Sequence, residues 1–358
     1  MLTLTDVRSI LSGEDRRNTA KFARFCLNAL EPPYRAAVAW RNRGYDRGQR
    51  RVHDLGRPTI SVGNLTVGGT GKTPMVVCLC RKLAELGHRP GVLLRGYKSH
   101  GGRSDEADEL ATTLGDSVTV MADPDRVTAA KLALQRDSRV TVFVLDDGFQ
   151  HRRAKRDLDL VLLDAARPFA DGHVLPRGIL REPKENLARA DAVMVTHADL
   201  ATPEQLAATR GQVQQLTGRL PVAVTEHVWT SLRDHHDREH PLDALRALRV
   251  IGVSGIGDPS SFERSLGLHA GSVVRMVRFG DHHRYTHDTL RELFEPDLAA
   301  RADAFVTTEK DWVKWAPLFA HAAMPVPVYR AVLALRFLDG EAAVDTLLRT
   351  LSGPSRAA

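Results

Sequence analysis

The richest chemistry in this chain lies in Gly63-Asn64-Leu65-Thr66-Val67-Gly68-Gly69-Thr70-Gly71-Lys72-Thr73. A short apolar run at 59–62 precedes it, and a segment of helical spacing follows. Glycines let backbone N–H groups close around phosphate oxygens, and a helix N-terminus adds a positive field. The pattern therefore reads as a nucleotide-phosphate loop. Gly68, Gly69, Thr70 and Gly71 form the cradle, Lys72 reaches the β- and γ-phosphates of a nucleotide, and the Thr73 hydroxyl faces Mg²⁺.

Thr66 stands where the usual loop has its first glycine. The run Gly68 to Thr73 matches the variant loop of partitioning and metallochaperone ATPases, but Val67 replaces their second lysine, which speaks against a dimerising switch. An apolar strand at 140–145 runs into Asp146-Asp147-Gly148-Phe149-Gln150-His151, the acidic half that such a site needs because Mg²⁺ takes hard oxygen ligands.

Other candidates carry two readings each. Asp105 and Glu106 are either the acidic first turn of a helix capped by Ser104, or they place Asp105 as the base that deprotonates an attacking hydroxyl. Arg126 either starts a helix or clamps a transferring phosphoryl group. The segment from Asp281 to His287 is dense in imidazole. His283 and His287, four apart, could share a helical face for zinc; the alternatives are an exposed turn or a histidine assisting a catalytic carboxylate across a cleft. Thr308 and Asp311 fit a helix capping box. Thr196-His197-Ala198-Asp199 echoes a guanine-reading loop, with histidine in place of its lysine.

The elements that must position these groups show a βα rhythm. Apolar runs at 59–62, 91–94, 118–121, 140–145, 158–163 and 192–195 alternate with helical segments, notably 73–86 and 126–136. This implies an α/β fold: a P-loop-type parallel sheet with helices on both faces and ligands at the carboxyl ends of its strands. A polar stretch at 230–241 suggests a boundary, and a smaller α/β unit begins near 248 and includes 304–307. The expected organisation is a basic helical arm at 1–57, a core at 58–229, a linker at 230–247, a second domain at 248–335, and a C-terminal helix and tail at 336–358.

In the arm, Phe22, Phe25, Cys26 and Leu30 recur at helical spacing. Pro32 and Pro33 should end that helix, with a second short one carrying Tyr34, Val38 and Trp40. Arginines cluster thereafter, so the arm is either a solvated helix packed on the body or a basic segment on an anionic leaflet. The net charge of +6 over 358 residues suits an anionic partner without choosing one. Three cysteines build no disulfide framework and favour a reducing compartment. No apolar run reaches the ~18 residues of a spanning helix.

Taken as an ordered set over 59–315, these motifs resemble one family, the tetraacyldisaccharide 4'-kinases of lipid A synthesis. The matching pieces are Val62 to Pro74, Arg95-Gly96-Tyr97, Asp146 to His151, Leu175-Pro176-Arg177-Gly178-Ile179-Leu180-Arg181-Glu182, Phe279 to His283, and Thr308 to Asp311. The resemblance implies two α/β domains joined by a hinge. It also implies an ATP- and Mg²⁺-dependent transfer to the 4'-hydroxyl of a lipid-linked disaccharide, and peripheral attachment at the cytoplasmic face of the inner membrane. By motif it makes Asp105 the base, supported by His282 of the second domain on closure. Lys72 and Thr73 would hold phosphates and Mg²⁺, and Asp146 and Asp147 the metal shell. Tyr97, Arg126, His151, Arg181 and Glu182 would complete the nucleotide and substrate surroundings.

Two departures stand out: Ala107 replaces the family's proline after Asp105-Glu106, and the N-terminal helix is more polar than the family's apolar anchor. Attachment here should then either be weaker and more electrostatic or depend mainly on the acyl chains of the substrate. A monomer is expected, with no nucleic-acid partner, since the arginine-rich arm matches no nucleic-acid-binding module.

Overall fold

The computed structural model describes residues 15, 17–96, 105–257, 259–280, 283–295, 300–319 and 326–351, with the side chains of 105, 106 and 109 outside that set. The chain divides into two compact units, Met1–Glu226 with Phe337–Ala358, and His227–Arg336. Residues 230–247, expected as a linker, instead carry the end of a long strand, a two-residue strand and a 3₁₀ turn of the second unit.

Among the described residues the first unit begins with helix α1 (Asn18–Asp46), after which strands and helices alternate as far as residue 146 and two further strands precede the next helix. These are β1 (Thr59–Asn64), α2 (Lys72–Glu85), β2 (Pro90–Leu94), α3 (Asp105–Leu114), β3 (Thr119–Ala122), α4 (Arg126–Arg136), β4 (Val142–Asp146), β5 (Leu158–Asp164), β6 (Ala192–Thr196), α5 (Pro203–Thr217) and β7 (Ala223–Asp234). Its sheet runs β7-β6-β5-β1-β4-β2-β3, all pairs parallel. All six residues of β1 are buried, which is why its sequence is a continuous apolar and small-residue run rather than an alternating one.

The prolines do not end the first helix. Pro32 and Pro33 lie inside the continuous α1. Each removes one backbone bond, yet tertiary contacts on both sides hold the run. Glu31 accepts from Val174 N and pairs with His173, and the Tyr34 hydroxyl donates to Arg181 O. The packed face is also not the one formed by Phe22, Phe25 and Leu30, which are exposed; Ala20, Val38 and Asn42 are buried instead.

In the second unit, β9 (Arg249–Ser254) is flanked in parallel by β10 (Ser272–Arg278) and β11 (Ala304–Thr308), and β11 pairs in parallel with β12 (Val328–Asp339). β8 (Glu239–His240) pairs antiparallel with β7. Helices α6 (Ser260–His269), α7 (His287–Leu293) and α8 (Glu309–Phe319) complete it, and Phe305, Trp312 and Trp315 anchor one of its apolar clusters. Helix α9 (Glu341–Thr350) returns to the first unit, where Glu341 and Asp345 both meet Lys82 of α2.

The central feature for function is how closely β1 meets the turn after β4. Thr59 to Val62 register against Phe143 to Asp146, and Gly148 N donates to Val62 O at 3.0 Å. A Cβ on Gly63 would lie 2.5 Å from Phe149 Cβ and 2.6 Å from Phe149 N. Gly63→Ala should therefore force the turn and the phosphate loop apart. Such overpacking destabilises by about 1–3 kcal/mol. Urea unfolding should show a lowered midpoint, together with weakened ATP binding.

Candidate active site

The phosphate loop leaves β1 and closes on Gly71, whose left-handed backbone (φ 74°) turns the chain into α2 at Lys72. The carboxyl end of β4 delivers Asp146, and Asp147 follows with positive φ (56°). That backbone suits an aspartate better than a branched residue. These two strand ends place Lys72 Nζ 3.1 Å from Asn64 Oδ1, to which it donates, and 3.5 Å from Asp147 Oδ1. Arg181 Nη1 donates to Asp147 Oδ2 at 2.5 Å. Burial pushes the Asp147 carboxyl up, but Lys72 and Arg181 outweigh it and hold the pKa below the ordinary value. Asp147 is therefore a carboxylate with two cations on it.

Arg181 comes from the segment after β5, which lies along the phosphate loop. Val67 N donates to Ile179 O and Arg181 N to Leu65 O, both at 2.7 Å. Gln150 Nε2 donates to Asn64 O at 2.9 Å, and Thr196 Oγ1 at the end of β6 donates to Thr70 O at 3.0 Å. The loop is thus tied to β4 and β6 as well as to β1. The sequence motifs included Asn64, Gln150 and Thr196 without giving them these roles; only their positions beside the glycine and aspartate runs hinted at them.

Arg126 is the first residue of α4 after its Asp125 cap, the helix start that was one of its two readings, and its guanidinium lies beside the acidic pair. It is only 2% exposed, donating to Asp123 O at 2.8 Å and Asp146 O at 3.1 Å. His151 sits next to it. Burial first, and the Arg126 charge second, push its imidazole down to about 4, and Nε2 has no hydrogen-bond partner among the described residues. It is neutral at pH 7.

Glu182 adjoins Arg181 in sequence but serves another network. It is fully buried and accepts from Arg41 (2.8 Å) and Asn42 (3.0 Å) of α1, Asn186 (2.8 Å) and Arg189 (2.6 Å). Burial alone would raise its pKa; Arg189, Asn42 and Arg41 reverse that and hold it low. Its observed contacts therefore join α1 to the body rather than line the phosphate loop.

In the second unit, Tyr285 donates to Asp311 Oδ1 at 3.0 Å, while Thr308 Oγ1 (2.7 Å) and Gly255 N (2.9 Å) donate to Oδ2. Asp311 N donates back to Thr308 Oγ1, completing the capping pair expected at the start of α8. His283 stacks on Phe279 with ring centroids 4.4 Å apart. Helix α7 begins only at His287, after the Thr286 cap, so His283 and His287 share no helical face. No group of three or more metal-ligating side chains occurs among the described residues. The helical pair of ligands expected from the spacing of His283 and His287 therefore does not form. Tyr97, His282 and the Asp105 side chain lie outside the described residues; Asp105 itself opens α3.

Two outcomes follow. Glu182→Ala leaves the partly exposed Arg41 and Arg189 and the buried Asn42 without their carboxylate, a loss that should cost about 1–3 kcal/mol; chemical denaturation should register it. His151 binds a proton more readily unfolded than folded, so it lowers stability as pH falls from 6.5 toward about 4. His151→Gln should flatten the loss of urea midpoint across that window.

Comparison with known proteins agrees with this arrangement. The family model for tetraacyldisaccharide-1-P 4'-kinase, LpxK, matches residues 23–352. A tetraacyldisaccharide 4'-kinase of Anaeromyxobacter dehalogenans (strain 2CP-C) is 42% identical over 314 residues, covering 83% of this chain and 82% of that protein. One from Geobacter sulfurreducens is 39% identical, covering 95% and 98%. The crystal structure of LpxK from Aquifex aeolicus in complex with ATP superposes with a TM-score of 0.69 at 29% identity, covering 92% of this chain and 99% of that one. With phosphate loop, acidic strand end and near full-length similarity all in agreement, the chain belongs to the tetraacyldisaccharide 4'-kinase family.

Proposed function

We propose that this protein transfers the γ-phosphoryl group of ATP to the 4'-hydroxyl of a tetraacylated glucosamine disaccharide 1-phosphate. The observation that carries the reading is the cluster of Lys72, Asp147 and Arg181 where β1 and β4 end, against a glycine loop that opens a helix. A bond forms between the 4'-oxygen and the γ-phosphorus as the bond to the β-bridging oxygen breaks, and ADP leaves. Mg²⁺, when bound, would supply charge neutralisation to the transferring phosphates. The hard oxygens of Thr73, Asp146 and Asp147 suit such an ion.

In this reading Lys72 exchanges its contact with Asp147 for phosphate oxygens, while Arg181 keeps Asp147 ionised. Asp105 accepts the 4'-hydroxyl proton and His282 supports it. Arg126 and the neutral His151 shape the field beside the acidic pair, and Tyr97 completes the surroundings. Positioning and charge neutralisation supply most of the catalysis in phosphoryl transfer.

The acceptor is lipid-linked, so the protein works at a membrane surface, on this reading as a peripheral protein on the cytoplasmic face of the inner membrane. No helix among the described residues is long and apolar enough to cross a bilayer. The exposed Phe22 and Phe25 of α1 and the arginines that follow favour attachment along that helix.

The test is transfer of labelled γ-phosphate from ATP to tetraacyldisaccharide 1-phosphate in detergent micelles. Wild type should form the bisphosphorylated lipid. Lys72→Ala should lower kcat by about 10²–10³-fold, and Asp105→Ala by about 10²–10⁴-fold. Product persisting undiminished in Asp105→Ala removes that base; no lipid product despite tight ATP binding removes the acceptor assignment.

A further inference from the structure

At the C-terminal end of α1 lies an open cavity of about 510 Å³ lined by Trp40, Arg43, Gly44, Arg47, Gln49 and Arg50. Its cationic character is uncompensated. Other arginines on or beside this helix have acidic partners: Arg35 with Glu31, Arg41 with Glu182, Arg152 with Asp46. Arg43, Arg47 and Arg50 have none among the described residues. Arg50 lies over the Trp40 ring at 4.7 Å and near the Tyr45 ring at 5.8 Å, and Arg152 covers Tyr45 at 5.2 Å. Gln49 N and Arg50 N both donate to Gly44 O, so the chain folds back over the helix end and fixes the Arg50 side of the cavity.

The placement of this cavity on the helix says what it meets. At ~100° per residue, Phe22, Phe25, Trp40, Arg43 and Arg47 fall within one sector of about 60°, opposite the buried Ala20, Val38 and Asn42. That outward stripe passes from aromatic residues to an indole and then to guanidinium groups. That order along the axis fits a helix whose N-terminal aromatic end dips into a membrane interface, with tryptophan at headgroup depth and arginine among the phosphates. Guanidinium forks match a phosphate with two parallel hydrogen bonds, which an ammonium cannot reproduce.

We infer that Arg43, Arg47 and Arg50, with Trp40 at the mouth, form a discrete binding site for the phosphate headgroup of an anionic phospholipid. The inference rests on the peripheral-membrane reading above and sharpens it: α1 binds one headgroup stoichiometrically, in addition to any diffuse attraction of basic residues to a charged leaflet.

Trp40 is its own reporter, being 70% exposed while Trp229, Trp312 and Trp315 are 6%, 7% and 0% exposed. The full-length protein is titrated with soluble dihexanoylphosphatidylglycerol below its micelle-forming concentration, beside dihexanoylphosphatidylcholine and inorganic phosphate. A saturable one-to-one blue shift of Trp40 emission is expected with the anionic lipid alone. The triple variant Arg43→Lys, Arg47→Lys, Arg50→Lys, which keeps the charge but not the forks, should bind it at least about tenfold more weakly. The same variant should still float with phosphatidylglycerol-containing vesicles.

Equal soluble-lipid affinity in wild type and the lysine variant would mean charge alone suffices and would overturn the site. Inorganic phosphate binding as tightly as the lipid would make it a free-anion site and overturn the lipid assignment. Wild type failing to float with anionic vesicles at all would remove the membrane reading itself, and the headgroup site with it.

Discussion

Two parallel strands, β1 and β4, lie side by side with almost nothing between their carboxyl ends, and the site depends on that closeness. Gly63 and Gly148 leave no side chain where the two turns meet: a Cβ on Gly148 would lie 2.5 Å from Ser61 Oγ, as one on Gly63 would press on Phe149. Because the backbones approach this far, Lys72 and Asp147, which leave the sheet from different strands, come within ion-pair distance. Any side chain between them would separate the phosphate-binding cation from the acidic pair.

Charge balance around that junction is layered. Asp147 carries Lys72 on one oxygen and Arg181 on the other, so it stays ionised despite its partial burial. Arg126, buried beside Asp146 and held by two backbone carbonyls, faces a histidine that it helps keep neutral. One residue on from Arg181, Glu182 gathers two arginines and two asparagines and fastens α1 to the body. Two consecutive residues of one bend thus contribute one side chain beside the phosphate loop and the next to the attachment of the helix proposed to face the membrane. Tyr34 of α1 adds a contact to the same segment by donating to Arg181 O.

The second unit shows the same economy around one buried carboxylate. Asp311 caps α8, takes the Gly255 amide at the end of β9, and holds Tyr285. Tyr285 belongs to the histidine-rich segment, so the Thr308-to-Asp311 motif anchors the stretch that bears His283. Two motifs that are weak and distant in sequence are one hydrogen-bonded assembly in the folded unit.

The parallel sheet, the phosphate loop and the acidic strand end could be read in the sequence because each depends on local pattern: continuous apolar runs, a glycine cradle before a helix, aspartates after a strand. The strands beginning near 59, 91, 118, 140, 158 and 192 all form, within a residue or two. Helix α1 was less legible. Pro32 and Pro33 argue locally for a break, and only contacts from Glu31, Tyr34, Arg41 and Asn42 to residues more than a hundred positions away make the run continuous. The apolar stripe of Phe22, Phe25 and Leu30 showed that a helix forms but not which side packs, since periodicity carries no information about what lies opposite. The separate fates of Arg181 and Glu182 were likewise invisible: the chain bends at these two residues, and which of them meets the phosphate-loop cluster is decided by the packing around the bend. Local sequence thus determined the elements and the chemical inventory, while tertiary packing decided which charges meet, because ion pairing depends on distance through space and not along the chain.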